Sequence, residues 1–256
     1  MAAPNLLTEI PFCWAHRGDS EHCPENTMPA FEAAVAAGAD GIELDVTQSA
    51  DGQLVVIHDA TLERTTDGEG SVSAWQWADL RRLDAGNWFA PQFSCTRLPL
   101  LEDVLEAVGR KVLVNIEIKP EAACAPAPLA VEAQVVETVR RLGLGHQVLI
   151  SSFNFQSLIA VRMLDPELAL GVLCDGDEPH IDFLALAKAV NASSLHLRLD
   201  TLTPALASSC HAQGLAVFTW AYAAEAGEDG MRHALSLGAN GFFANDPALF
   251  LRVRQG

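Results

Sequence analysis

Glu43 and Asp45 lie two residues apart in "GIELDV", a run otherwise made mostly of apolar residues. On a β-strand that spacing puts both carboxylates on one face and leaves Ile42, Leu44 and Val46 on the other. Two carboxylates so close repel each other, and near a core they need a cation or a proton between them. A solvated strand face is the competing reading of the pair. "NIEIKP" repeats the spacing with Glu117 and Lys119, which could simply form a mutual ion pair. Together, Glu43, Asp45 and Glu117 make an all-oxygen donor set suited to a hard divalent cation, Mg²⁺ or Ca²⁺, with Mn²⁺ also compatible. Zinc is disfavoured because no close His or Cys pair accompanies them. His16 and His58 end the runs "FCWAH" and "LVVIH". A lone histidine is more often a core residue, but beside these carboxylates a pair can serve as general acid and general base. Arg17 and Lys119 supply positive charge for a phosphate, Arg17 through its bidentate fork. The chemistry these residues predict is metal-assisted transfer at a phosphate ester.

The elements that must position them alternate. β-like runs such as "FCWAH", "GIELDV", "KVLVNIEIK", "QVLISSF", "LALGVLC", "SSLHLRL", "AVFTWAY" and "GFFAND" are separated by helical patterns. Several runs are continuously apolar, as parallel strands covered on both sides are. About eight strands over this length predict a (β/α)8 TIM barrel, spanning residues 1–256 as one domain. An open doubly wound sheet is the alternative, but no GxGxxG follows the first strand. Residues 61–100 break the rhythm and predict a small rim insertion after the second strand region. Trp75, Trp77, Trp88, Phe89 and Phe93 in that segment need partners to pack against. "EAACAPAPLA" (121–130) reads as a loop.

The formal net charge is −17, which argues against nucleic acid and against anionic lipid as partners. Any affinity for a small anionic substrate must therefore be local. The six cysteines (13, 23, 95, 124, 174, 210) show no CxxC and are expected as free thiols. No Lys or Arg precedes Arg17 and no apolar run reaches transmembrane length. These features predict a cytoplasmic protein without membrane insertion and leave its oligomeric state open.

The combination "AHRGDSEHCPENTMPAF", "GIELDVTQSADGQLVVIHDATLERTTDGEG" and "NIEIKP" resembles the glycerophosphodiester phosphodiesterase family, in its compact cytosolic bacterial form. The resemblance continues through "LISSF", "SLHLRLDTLTPALASSCHAQGLAVFTWAY" and "LGANGFFANDP", so it covers nearly the whole chain. It implies a (β/α)8 barrel with a small insertion and metal-dependent hydrolysis of glycerophosphodiesters to sn-glycerol 3-phosphate and an alcohol. Glu43, Asp45 and Glu117 match the metal ligands, His16 and His58 the acid/base pair, and Arg17 and Lys119 the phosphate contacts. Glu25 and Asn26 match positions that shape the site, and Trp220 an aromatic at the glycerol end. The family's usual assignment makes His16 the acid and His58 the base. The attacking oxygen comes from water or from the glycerol 2-hydroxyl through a cyclic phosphate. Two departures concern the substrate end: Ala221-Tyr222-Ala223 replaces a Thr-Val-Asn run, and Ala244-Asn245-Asp246-Pro247 replaces the usual "TD.P". His196 either reaches the mouth or belongs to the core, while His22, His146, His180, His211 and His233 read as surface or loop residues. A related phospholipase, sphingomyelinase-D-like or phosphatidylinositol-cleaving, and a non-catalytic glycerol-phosphate-binding barrel are the rival readings.

Overall fold

The computed structural model describes residues 6, 10–120, 122, 130–176, 182–222 and 225–256. Most of the loop expected at 121–130, with Cys124, lies outside the described residues, as do His180 and Ala223. The chain runs β1 (Phe12–His16), α1 (Met28–Ala37), β2 (Gly41–Gln48), β3 (Leu54–Val56), α2 (Trp77–Leu80), α3 (Leu101–Val108) and β4 (Leu113–Ile118). It continues with α4 (Val131–Leu142), β5 (Val148–Ser152), α5 (Phe155–Leu164), β6 (Ala169–Cys174), α6 (Phe183–Ala189) and β7 (Ser194–Arg198). The last elements are α7 (Pro204–His211), β8 (Ala216–Trp220), α8 (Glu228–Ser236), β9 (Gly241–Ala244) and α9 (Pro247–Val253).

β1, β2 and β4 to β9 pair in parallel, and β1 pairs with both β9 and β2, closing the sheet into the expected TIM barrel. One β-like run, after the turn at Ser49–Gly52, stays out of the parallel barrel. The run "LVVIH" contributes only three residues, β3, and pairs antiparallel with the end of β2. It is the return arm of a hairpin, not a barrel strand. Gly52, at φ 78°, makes the turn that the Ser49–Gly52 sequence predicts. The hairpin carries the chain back beside the carboxylate strand, where the Ile57 N–H donates to the Asp45 carbonyl at 3.1 Å. His58 reaches the barrel mouth by this route.

Alternation along the strands sorts the two faces. Ile42, Leu44, Val46, Val114, Ile116 and Ile118 point outward and are buried with the helices in one apolar layer. The lower interior is filled by Phe12, Trp14, Leu149, Ala169, Ala216, Phe218 and Phe243. That aromatic plug forces any cavity to the C-terminal end of the strands. The rim insertion has its own small core, Val55, Ile57, Leu62, Val72, Leu80, Ala85 and Leu98, against which Trp75 and Trp77 pack. Trp88, Phe89 and Phe93 instead stack edge-to-face on one another.

Candidate active site

The first site element is the turn after β1. Arg17 and Gly18 both adopt positive φ, 58° and 84°, which reverses the chain within two residues. A Cβ on Gly18 would lie 2.6 Å from the Ala30 backbone, so the helix that follows can approach only a glycine. Arg17 accepts an uncommon conformation for a residue with a side chain. The turn aims its backbone N–H at Glu43 Oε2, 2.9 Å away. Its guanidinium donates to Glu25 Oε1 at 2.8 Å and lies 3.4 Å from Asp45 Oδ2. Asn26, also at positive φ, donates from Nδ2 to Asp45 Oδ2 at 2.8 Å and accepts the Asp45 N–H at 3.3 Å. The motif between β1 and α1 thus fixes two carboxylates of the neighbouring strand.

Glu43 and Asp45 on β2 and Glu117 on β4 face inward together, with Asp45 and Glu117 paired in register. All three are buried, and each offers an oxygen within 4.8 Å of the others. Lys119 Nζ donates to Glu117 Oε1 at 2.8 Å and lies 3.4 Å from Asp45 Oδ1. The Glu117–Lys119 ion pair therefore exists inside the carboxylate cluster rather than in place of it. Burial works to raise Asp45, but Lys119 and Arg17 outweigh it and hold the carboxyl well below the usual range. Burial and the charges of Asp45 and Glu117 push Glu43 well above its ordinary value. Burial and Asp45 push Glu117 up to about 7 despite Lys119. Three carboxylates against two cations leave a surplus negative charge in a buried, all-oxygen site. That donor set fits a hard divalent cation.

His16 Nδ1 lies 2.7 Å from Asn245 Oδ1, and His58 Nδ1 lies 2.6 Å from Asp59 Oδ1. No described protein group bonds the Nε2 of either ring, and both rings line the same cavity. Burial, helped by the Arg17 charge, pulls His16 down to about 4. Arg64, from the rim insertion, ties the two catalytic-end loops together. Its guanidinium donates to Asp59 at 2.6 and 2.9 Å and to Glu25 at 2.7 and 2.9 Å. Hydrogen bonding from Arg64 brings Asp59 down to about 2.

The cavity, about 350 Å³, is also lined by Lys119, Asn115, Phe153, Leu173, Trp220 and Phe243, with Asp175 and Tyr222 at its rim. Glu25 and Asn26 stand behind it, where they brace Arg17 and Asp45. His196 does not reach it. One pleat below Arg198 on β7, it is fully buried between Phe218 and Phe243, bonded to Ser194 Oγ at 2.9 Å. His22 pairs with Asp19 outside the cavity. The sequence assigns no role to Asp59, Arg64 or Asn115 and marks Asn245 only as part of a departure at the substrate end. Asn115 stands two residues before Glu117, so the alternation that singled out Glu43 and Asp45 also marks it. Asp59 adjoins His58 directly. Arg64 carries no local signal, because only the folded barrel brings it to the histidine loops, and for the same reason the contact of Asn245 with His16 is not visible in the sequence.

A sequence model of the Glycerophosphoryl diester phosphodiesterase family matches residues 16–249. A glycerophosphodiester phosphodiesterase of Caldanaerobacter subterraneus subsp. tengcongensis is 39% identical over 246 residues, covering 94% of this chain and 97% of that protein. The crystal structure of a glycerophosphodiester phosphodiesterase from Agrobacterium tumefaciens superposes with a TM-score of 0.81 at 29% identity, over 95% of this chain and 100% of that one. An Oleispira antarctica phosphodiesterase, solved in complex with the product sn-glycerol-3-phosphate, gives a TM-score of 0.80 at 26% identity, over 96% and 98% of the two chains.

Proposed function

The chain belongs to the glycerophosphoryl diester phosphodiesterase family, and we propose that it cleaves glycerophosphodiesters to sn-glycerol 3-phosphate and an alcohol using His16 and His58 as proton carriers. The observation that carries this reading is one cavity lined by two histidines, their Nε2 atoms bonded by no described protein group, beside a buried carboxylate triad. Arg17 and Lys119 bind the phosphodiester anion locally, against the net charge of −17. Glu43, Asp45 and Glu117 hold a divalent cation (Mg²⁺, Ca²⁺ or Mn²⁺). When bound, that cation adds positive charge at the phosphoryl oxygens, where negative charge builds as the P–O bond breaks.

His58 takes the proton of the attacking oxygen, which belongs either to water, giving sn-glycerol 3-phosphate directly, or to the glycerol 2-hydroxyl, giving a cyclic phosphate that a water then opens to it. Asp59 holds its Nδ1–H, keeps Nε2 free for that proton and stabilises the imidazolium that forms. His16 returns a proton to the leaving alcohol oxygen as its bond to phosphorus breaks. Asn245 fixes the ring through Nδ1, so Nε2 is the atom that delivers. Burial and, after it, the Arg17 charge keep the free His16 down at about 4; an anionic diester beside the ring offsets the Arg17 charge and so favours the protonated form.

Turnover of glycerophosphocholine tests the assignment. Replacing His16 or His58 by Ala should each cost about a hundredfold or more in kcat, and Glu43→Ala should abolish the response to added Mg²⁺. Wild-type turnover in either histidine variant would remove that ring from the mechanism.

A further inference from the structure

Asn115 lies on the floor of the cavity with its amide unspent. It is 1% exposed, its Oδ1 is sealed from solvent without a hydrogen bond, and no described protein group bonds its Nδ2. A buried amide left unpaired costs about 1–3 kcal/mol, and Asn is among the residues least suited to a strand. Its neighbours on β4, Val114 and Ile116, and Leu113 below it on the same face, are apolar. Its register partner on β2 is Glu43, yet no hydrogen bond joins the amide to that carboxyl, so the pairing alone does not satisfy it.

The cavity has two unlike ends. Asn115, Leu173 and Phe243 close the deep end, while Tyr222 and Phe153, 60% and 40% exposed, flank the open one. His16, Arg17, His58 and Lys119 occupy the wall between, where the phosphate must sit. A substrate of this class carries one invariant arm, glycerol, and one arm whose size and charge vary. An enclosed floor suits the invariant arm, and an open rim suits the variable one. Glycerol presents hydroxyls whose oxygens accept hydrogen bonds, and Nδ2, the amide atom of Asn115 that is not sealed, is a donor.

We propose that Asn115 is the hydrogen-bonding partner of the glycerol hydroxyls, and so the residue by which the deep end distinguishes a glycerol phosphate from any other phosphate monoester. This rests on the glycerophosphodiesterase reading above. The closing experiment separates the two by measuring, with Mg²⁺ present, the binding of sn-glycerol 3-phosphate and of propyl phosphate, which lacks the hydroxyls. Wild type should prefer sn-glycerol 3-phosphate. Asn115→Leu, close to isosteric, should lose about tenfold in affinity for it, as a buried hydrogen bond to a neutral hydroxyl is worth, and should bind propyl phosphate unchanged. On glycerophosphocholine the same variant should raise KM more than it lowers kcat. Asn115→Ala serves if the leucine does not fold, and Asn115→Gln, which keeps the amide, should not recover the lost affinity if its position matters. Unchanged discrimination in the variants overturns the proposal. So does an equal loss for both ligands together with weakened Mg²⁺ binding, which would make Asn115 a metal ligand. If wild type neither binds sn-glycerol 3-phosphate nor turns over glycerophosphocholine, it is the underlying reading that fails.

Discussion

Glu43 and Glu117 hold their protons further up the pH scale than isolated carboxyls because both are buried beside Asp45, which stays ionised. A cation can bind only as those protons leave. Glu117 is raised to about 7, so in the metal-free protein its proton is retained below that pH and lost above it. The apparent affinity for Mg²⁺ should therefore rise through this range, with proton release on binding. Titration calorimetry in buffers of different ionisation enthalpy measures both quantities, and an affinity that is level between about pH 6 and pH 8 would contradict the picture. At this scale much of the site was legible in the sequence. Spacing of two on a strand is enough to put Glu43 with Asp45 and Glu117 with Lys119. What spacing does not give is partnership: that Arg17 contacts Glu43 through its backbone N–H, and that Asn26 grips Asp45, follow from two positive-φ residues in the turn after β1. His196 shows the converse. Its strand alternation is right for the interior, but only the aromatic plug decides that its level is core and not mouth.

Among the elements, the β2–β3 hairpin and the rim insertion divide the work of placing His58. The hairpin brings the ring back beside Asp45, and the insertion supplies Arg64, which clamps Asp59 and Glu25 at once. Removing Arg64 releases both the loop that orients His58 and the loop that carries Arg17. We expect Arg64→Ala to lower kcat/KM about tenfold to a hundredfold, the range seen when an orienting partner is lost. Its Tm should change little, since a half-exposed ion pair contributes at most about 1 kcal/mol. Arg64→Lys should recover only part of the activity, because an ammonium cannot fork to two carboxylates. Steady-state kinetics with a melting curve checks this, and wild-type kcat/KM in Arg64→Ala would remove the insertion from the catalytic machinery. The sequence showed that an insertion existed from its length and its tryptophans. The turn signal at Ser49–Gly52 marks the hairpin, but not that "LVVIH" shortens to three residues that pair antiparallel with the end of β2.

For the molecule as a whole, barrel closure is what turns scattered motifs into one site. β1 lies between β9 and β2, so Asn245 after β9, His16 at the end of β1 and the carboxylates of β2 meet although the chain separates the first two by 229 residues. The aromatic plug closes the other end and makes the mouth the only place in the described interior for a substrate. The negative net charge sets the remaining condition: on the proposed function, binding of a phosphodiester has to be won locally, and Arg17, Lys119 and a divalent cation on three buried carboxylates are the groups proposed to do so. Phosphorus NMR of glycerophosphocholine incubated with the enzyme tests this most directly, run first in excess EDTA and then after Mg²⁺ is restored beyond the chelator. The expected result is a stable diester signal in EDTA and its conversion to sn-glycerol 3-phosphate once Mg²⁺ is added. Full conversion in EDTA, or a phosphorus product other than sn-glycerol 3-phosphate, would contradict it.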